Sequence, residues 1–216
     1  MTAPMTMNQL IHAAVRRDLG RLDTALGQVR DGDRERAAGL GRAFGNLRTQ
    51  LTQHHEGEDA HIWPMLATKG VSADLLTAME SEHAAMSAAL AETDTAMSRY
   101  ASSGSAADAA AARESVARTR EVVEQHLAHE EDELEPQLRP HVETPEWQAV
   151  EKKLSRQPPG IAGRFFAWLT DGLTDAQRSF LRATVPTPVV FVLSRTFGRS
   201  YYREVAPVWR DGRPRG

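Results

Sequence analysis

The chain of 216 residues contains no cysteine. This absence excludes disulfide bonds, and it excludes every metal site that is built on thiolate ligands. The length is sufficient for one well-buried core and an additional segment.

The sequence also lacks a long apolar run and a leader-like beginning. No stretch approaches the roughly 20 apolar residues that a membrane-spanning helix needs. The first residues, MTAPMTMNQL, have neither the basic region nor the apolar core of a secretion signal. These absences predict a cytoplasmic protein without a transmembrane segment.

What the chain does contain is a pattern that occurs twice. A histidine, a glutamate and a proline stand at the same spacing in HHEGEDAHIWP and, 72 residues later, in HLAHEEDELEP. The members are His54, Glu58 and Pro64 in the first copy and His126, Glu130 and Pro136 in the second. A single histidine precedes each copy, and these two residues, His12 and His83, are 71 residues apart. The spacing predicts a duplicated helical hairpin that carries metal ligands.

Helix geometry explains the spacing within each copy. Residues four apart lie on one face of an α-helix, one turn apart. His54 and Glu58 therefore point together, as do His126 and Glu130. A histidine nitrogen and a carboxylate oxygen on one face can reach a common ion, as they do in the cores of di-iron helical bundles.

Turn-forming residues lie near the midpoints between successive histidine positions, so antiparallel helices would bring the ligands to one level. These turns are Asp31-Gly32-Asp33, Lys69-Gly70 and Ser102-Ser103-Gly104-Ser105. We predict an all-α fold, an up-down-up-down four-helix bundle with a C-terminal extension of short helices. The predicted bundle helices cover residues 6–30, 34–67, 72–101 and 106–138. The two prolines of the pattern should kink or end their helices just past the ligand layer.

These residues together resemble the hemerythrin-like, or HHE cation-binding, domains, which are four-helix bundles with a non-haem di-iron centre. The resemblance covers roughly residues 6–140, and it includes Glu82-His83 and the two flanking runs. It implies two iron ions with terminal ligands His12, His54, His83 and His126 and with bridging ligands Glu58 and Glu130. We accordingly divide the chain into a metal-binding bundle, residues 1–140, and a helical extension, residues 141–216, packed on the bundle or on a partner.

One expected ligand is missing. Oxygen-carrying hemerythrins place two histidines four residues apart on the third helix, whereas the positions four away from His83 are Met79 and Ser87. The site then has an open or water-filled position, or it recruits a replacement. The candidates for replacement are His55, His61 and Glu82. An open position favours reaction with a small oxidant over reversible carriage of dioxygen.

The other histidines near the pattern, His55, His61 and His129, have no required role and are otherwise expected at the surface or beside the ligands. Ligand histidines usually donate their second ring N–H to an acceptor. The nearby acceptors are Glu82, Asp59 and Glu131.

Charge and aromatic residues are divided unevenly along the chain. Residues 1–150 contain 14 basic and 24 acidic residues, a net charge of −10, whereas residues 151–216 contain 12 and 5, a net charge of +7. Five of the six phenylalanines lie in the second part. The predicted helices there cover about 145–156, 161–170, 174–184, 188–196 and 198–206, and Thr174 is a candidate N-cap.

Three uses of this extension compete: packing on the bundle, forming a homodimer interface, and lying on a membrane surface as a basic amphipathic element. Binding to nucleic acid is not expected, because the basic residues are dispersed and the acidic bundle would repel phosphate.

The function expected from these features is that of a di-iron protein that binds and reacts with dioxygen, hydrogen peroxide or nitric oxide. Its enzymatic form would be an oxidoreductase that consumes peroxide or nitric oxide. The alternative is an oxygen- or iron-responsive sensor that signals through its C-terminal helices. A third interpretation, an iron-free helical bundle, requires the matched spacings to be accidental.

Overall fold

The predicted all-α fold is confirmed in a computed structural model that describes residues 5–210. Every regular element in that range is a helix. Four long helices form the bundle: α1 Met7–Leu26, α2 Arg34–Gly57, α4 Ala73–Ser103 and α5 Ala106–His129. Helix α1 packs on α2 and α5, and α4 packs on α2 and α5, which gives the predicted up-down-up-down order. None of the described helices is both long and apolar enough to cross a membrane.

The helices begin and end at the residues that local chemistry favours. Thr6 and Gln9 form a capping box at the start of α1. The side chains of Asp33 and Ser105 accept the N–H groups of Arg36 and Asp108 in the first turns of α2 and α5. Gly104 ends α4 with a φ of 67°, a left-handed conformation that favours glycine. The first two predicted turns lie between helices, and of the third only Gly104 and Ser105 do, because Ser102 and Ser103 form the end of α4. Helix α1 ends at Leu26 rather than at the predicted residue 30.

Two π-helical turns, Glu58–Ile62 and Glu130–Leu134, interrupt the second and fourth helices. Two short helices continue them, α3 Trp63–Thr68 and α6 Glu135–Leu138. Pro64 and Pro136 lie in the first turns of these short helices. Proline lacks an N–H and displaces the carbonyl four residues earlier, and the wider π turn absorbs that displacement. The prolines therefore change the local helix type rather than end the helices.

The extension contains five short helices: α7 Pro145–Leu154, α8 Pro159–Leu169, α9 Asp175–Thr184, α10 Thr187–Val192 and α11 Arg199–Glu204. A π turn, Leu193–Phe197, follows α10, and short 3₁₀ turns lie at Arg139–His141 and Ala206–Trp209. Thr174 caps α9 as predicted, because its side chain accepts the N–H of Gln177.

The extension shares its core with the bundle. Apolar residues of α8 and α11, among them Trp168 and Tyr201, are buried in one cluster with residues of α1 and α2. The indole N–H of Trp168 donates to Asp18 on α1 over 2.8 Å, and the Asp18 side chain is fully buried. Arg17 donates to the same carboxylate and to the carbonyl of Trp168. This polar contact fixes α8 against α1.

Candidate metal centre

The structure brings the six residues predicted as metal ligands together in the interior of the bundle. They lie on all four bundle helices and on the two π turns: His12 on α1, His54 on α2, His83 on α4, His126 on α5, and Glu58 and Glu130 at the first positions of the π turns. His54 retains 10% side-chain exposure, and the other five are more deeply buried. The antiparallel arrangement therefore places all six at one level.

The donor atoms form two groups. One group contains His12, His54, Glu58 and Glu130, and the other contains His55, His83 and His126. The donor atoms within each group lie within 4.8 Å of one another. In the first group the Nε2 atoms of His12 and His54 are 3.2 Å apart, and in the second the Nε2 atoms of His83 and His126 are 3.2 Å apart.

Each glutamate reaches histidines of both groups. Glu58 places Oε1 3.3 Å from Nε2 of His54 and Oε2 3.7 Å from Nε2 of His83. Glu130 places Oε2 3.3 Å from Nε2 of His12 and 3.8 Å from Nε2 of His126. The two carboxylates thus lie between the two histidine groups.

Carboxylate acceptors hold three of the histidine rings. With the ring proton on Nδ1, each ring donates to one acceptor: His12 to Glu131 over 2.8 Å, His83 to Asp59 over 2.8 Å and His126 to Glu82 over 2.9 Å. The three acceptors expected from the sequence are therefore confirmed. This arrangement fixes the ring orientation and makes the opposite nitrogen a better ligand.

The contact between His83 and His126 is suited to a positive charge between the two rings. Because both rings donate through Nδ1, both Nε2 atoms carry a lone pair when the rings are neutral. These lone pairs face each other across 3.2 Å with no proton available to bridge them. A bound cation replaces this repulsion by two favourable contacts.

Three buried side-chain atoms around the centre have no hydrogen-bond partner: Nε2 of His55, Oε2 of Glu58 and Oε2 of Glu130. A buried polar atom without a partner typically costs about 1–3 kcal/mol. All three atoms belong to residues of the two donor groups. The donor set therefore fits metal ions, which would satisfy the three atoms at once.

The protonation of the metal-free centre also indicates a cation site. Burial alone would lower the pKa of His12, but Glu130 and Glu131 outweigh it and raise that pKa to about 9. Burial and then the charge of His12 lower the pKa of His54 to about 3, and burial lowers that of His55. His54 and His55 are therefore neutral, and each has a nitrogen lone pair that a metal ion could use, while a proton on His12 supplies positive charge beside the carboxylates.

The two glutamates differ in their surroundings. Burial and the charge of Glu130 raise the pKa of Glu58. Burial opposes ionisation of Glu130, but its contacts with His12 dominate and lower its pKa to about 2. Asn8 on α1 donates to Oε1 of Glu130 over 2.9 Å and to the buried Glu135 over 3.2 Å. This bond leaves Oε2 of Glu130 directed at the histidines.

Several further residues surround the six predicted ligands. His55, predicted to lie at the surface or beside the ligands or to serve as a replacement ligand, is buried, and its ring stacks on that of His83 at 4.2 Å between centroids. Glu82 accepts hydrogen bonds from His126 and His129, so it holds the ring of the predicted ligand His126. His61 is half-buried and belongs to neither donor group. No pattern of neighbouring residues in the sequence marks Asn8 as a hydrogen-bond donor to Glu130.

A helical bundle with imidazole and carboxylate donors from all four helices in its core defines a class of cation-binding bundle proteins. A family model, the hemerythrin HHE cation binding domain, matches residues 9–138 of this chain. The chain belongs to that family. No curated protein and no solved structure gave a significant match to it.

Proposed function

We propose that the protein is a non-haem di-iron protein that binds and reacts with a small oxidant: dioxygen, hydrogen peroxide or nitric oxide. The observation that carries this proposal is the position of Glu58 and Glu130 between two histidine groups. Two carboxylates shared by two sets of nitrogen donors are suited to a pair of ions rather than to one. Imidazole and carboxylate ligands also suit manganese and zinc, and membership of the family favours iron.

In this proposal each of the two donor groups supplies the ligands of one ion. His12 and His54 would hold one ion, and His83, His126 and His55 would hold the other, with Glu58 and Glu130 as the bridges. His55 then replaces the ligand that is absent at Met79 and Ser87. Its free Nε2 atom beside the His83 and His126 donors supports this assignment.

Five imidazoles and two bridging carboxylates would leave coordination positions open on two six-coordinate ions, so an exogenous ligand could bind. The ions would supply the electrons for reduction of a bound oxidant. The protein would fix the donor geometry and limit access of water. Trp63, which is 2% exposed and stacks on His83 at 5.8 Å between ring centroids, covers one side of the second group.

The experiment is to reconstitute the protein with ferrous iron under anaerobic conditions and to measure consumption of hydrogen peroxide and of nitric oxide. We expect disproportionation of hydrogen peroxide, or consumption of nitric oxide in proportion to the ferrous iron present, and a loss of both iron and this reaction in His126→Ala. His141→Ala, in the 3₁₀ turn after the bundle, is the matched control and should retain both. Full iron content and full turnover in His126→Ala would refute the ligand assignment.

A second candidate function, that of an iron- or oxygen-responsive sensor, is supported by contacts between the centre and the extension. Helix α7 packs against the π turn that begins at Glu58, and α1 carries His12 as well as the Asp18 contact to α8. A sensor predicts that iron changes amide hydrogen exchange in α7 and α8. Identical exchange with and without iron would exclude this function.

A further inference from the structure

Large apolar side chains are concentrated on the outside of the extension. Among the described residues, four of the six exposed large hydrophobic side chains lie within residues 189–197. They are Val189, Phe191, Val192 and Phe197, with exposures of 44%, 62%, 51% and 46%. We refer to these four residues as the apolar ridge. Such a concentration of exposed apolar surface is typical of an interaction site.

The ridge lies on the outer layer of the molecule. Helix α10 and the π turn after it pack on α8, and α8 packs on α1 of the bundle. The chain segments approach so closely at Gly163 and Gly198 that a Cβ on Gly163 would lie 2.6 Å from the carbonyl oxygen of Leu193. Helix α8 therefore lies between the segment that carries the ridge and α1 of the bundle.

The ridge residues of α10 do not share one narrow face of the helix. At 100° per residue, Val189, Phe191 and Val192 spread over about 160° of the α10 surface. A surface of this shape does not form a groove that could enclose a helix or an extended peptide. It can instead penetrate a soft apolar layer, as the apolar faces of interfacial helices do.

The sequence around the ridge is basic. Residues 176–203 contain five arginines and no acidic residue. Arg178, Arg182, Arg195 and Arg199 are exposed, and Arg195 lies over the ring of Tyr202 with its guanidinium carbon 4.8 Å from the centroid. An apolar ridge flanked by arginines matches a surface that combines negative charge with an apolar interior.

A second copy of the chain fits this surface poorly. A two-fold symmetric dimer through the ridge would bring the same arginines of both copies together, which is repulsive. Contact between the ridge and the acidic bundle of another copy would be heterologous and would continue into an open filament. We propose instead that the apolar ridge docks on the surface of a lipid bilayer that contains anionic phospholipids.

The proposal is tested by sedimentation of the full-length protein with vesicles. One set contains phosphatidylcholine alone, and the other contains phosphatidylcholine with phosphatidylglycerol. We expect binding to the anionic vesicles only, and weaker binding at high salt because arginine contacts to lipid head groups are screened. Absence of binding to the anionic vesicles would overturn the proposal.

Variants locate the contact. In Phe191→Ser/Val192→Ser we expect binding to anionic vesicles to fall by about tenfold or more, since two apolar side chains no longer insert. The control is Val142→Ser, because Val142 is 43% exposed and lies outside the ridge, and it should bind as the wild type does. Arg195→Gln/Arg199→Gln should also bind about tenfold more weakly.

The variants change exposed side chains, so circular dichroism should report an unchanged fold. Equal binding of the wild type and Phe191→Ser/Val192→Ser would overturn the proposal. Analytical ultracentrifugation tests the alternative that the ridge is a dimer interface. If the wild type is a dimer that does not bind vesicles, and Phe191→Ser/Val192→Ser is a monomer, the ridge serves self-association and the proposal is overturned.

Discussion

Replacing His55 by phenylalanine separates the metal-binding role of this residue from its role in packing. The His55 ring stacks on the His83 ring at 4.2 Å and an interplanar angle of 18°, and a phenyl ring can keep that contact. The substitution removes Nε2, which is buried and has no hydrogen-bond partner. We therefore expect opposite effects on the metal-free and the iron-loaded protein.

The size of the effect follows from the unpaired atom. A desolvated polar group without a partner costs about 1–3 kcal/mol, and removing it should stabilise the metal-free protein by up to that amount. For a chain of this length, 1 kcal/mol corresponds to roughly 2–4 °C in the melting temperature. His55→Phe should thus melt about 2–12 °C higher than the wild type when both are metal-free.

The assay is thermal unfolding followed by circular dichroism, with and without ferrous iron under anaerobic conditions. Iron should raise the melting temperature of the wild type and should have a smaller effect on His55→Phe, since one donor is lost. His61→Phe is the control, because His61 is half-buried on the adjacent π turn and belongs to neither donor group. The reasoning is refuted if His55→Phe destabilises the metal-free protein and responds to iron as the wild type does.

Three further predictions address the surroundings of the centre and the extension. Asp18→Asn should lower the free energy of unfolding by about 3–5 kcal/mol, because the fully buried carboxylate balances Arg17 and holds Trp168. The control is Asp23→Asn, which should cost at most about 1 kcal/mol because Asp23 pairs with Arg113 at the surface. Equal losses of stability for the two variants in urea unfolding would contradict the docking of α8. Asp59→Asn weakens the hydrogen bond that holds His83, so metal affinity measured by competition with a chelator should fall by about 10–100-fold, and an unchanged affinity would argue against His83 as a ligand. The pKa of His12 is raised to about 9, so its proton stabilises the metal-free fold. This contribution is complete below pH 6.5, the ordinary pKa of the group, and it is lost as the pH rises through about 9. Metal binding must displace that proton, so affinity for manganous ion, followed by calorimetry, should increase between about pH 6.5 and 9, and a pH-independent affinity would contradict this role of His12.

Much of the bundle could be predicted from local signals. Apolar residues at helical spacing, the Gly32, Gly70 and Gly104 turns and the repeated histidine–glutamate pairs all act over a few residues. The convergence of six candidate ligands follows from those signals, since antiparallel helices of matched length return to the same level.

The features that could not be predicted depend on contacts between distant segments. His54 and His55 are neighbours in sequence, but adjacent residues point about 100° apart on a helix. Only the position of α2 relative to α4 and α5 shows that both rings turn inward. Asn8 reaches Glu130 across 122 residues, and no local pattern reports such a pair.

A proline stands six residues after each glutamate, next to the π turns. From the sequence, this proline predicts a kink or an end of the helix. In the packed bundle the helix does not end there, because α3 contributes Trp63, Met65 and Leu66 to a second apolar cluster with α4 and α7. Burial of these side chains favours a helix that continues through a π turn over one that ends at the proline.

The central claim is that the two histidine groups and the two glutamates hold a pair of metal ions. The most direct measurement is elemental analysis of the purified protein after anaerobic reconstitution with ferrous iron and removal of unbound metal. We predict about two iron ions per chain, as expected for a carboxylate-bridged pair in a helical bundle. A value near zero in a protein that circular dichroism shows to be folded would contradict the claim.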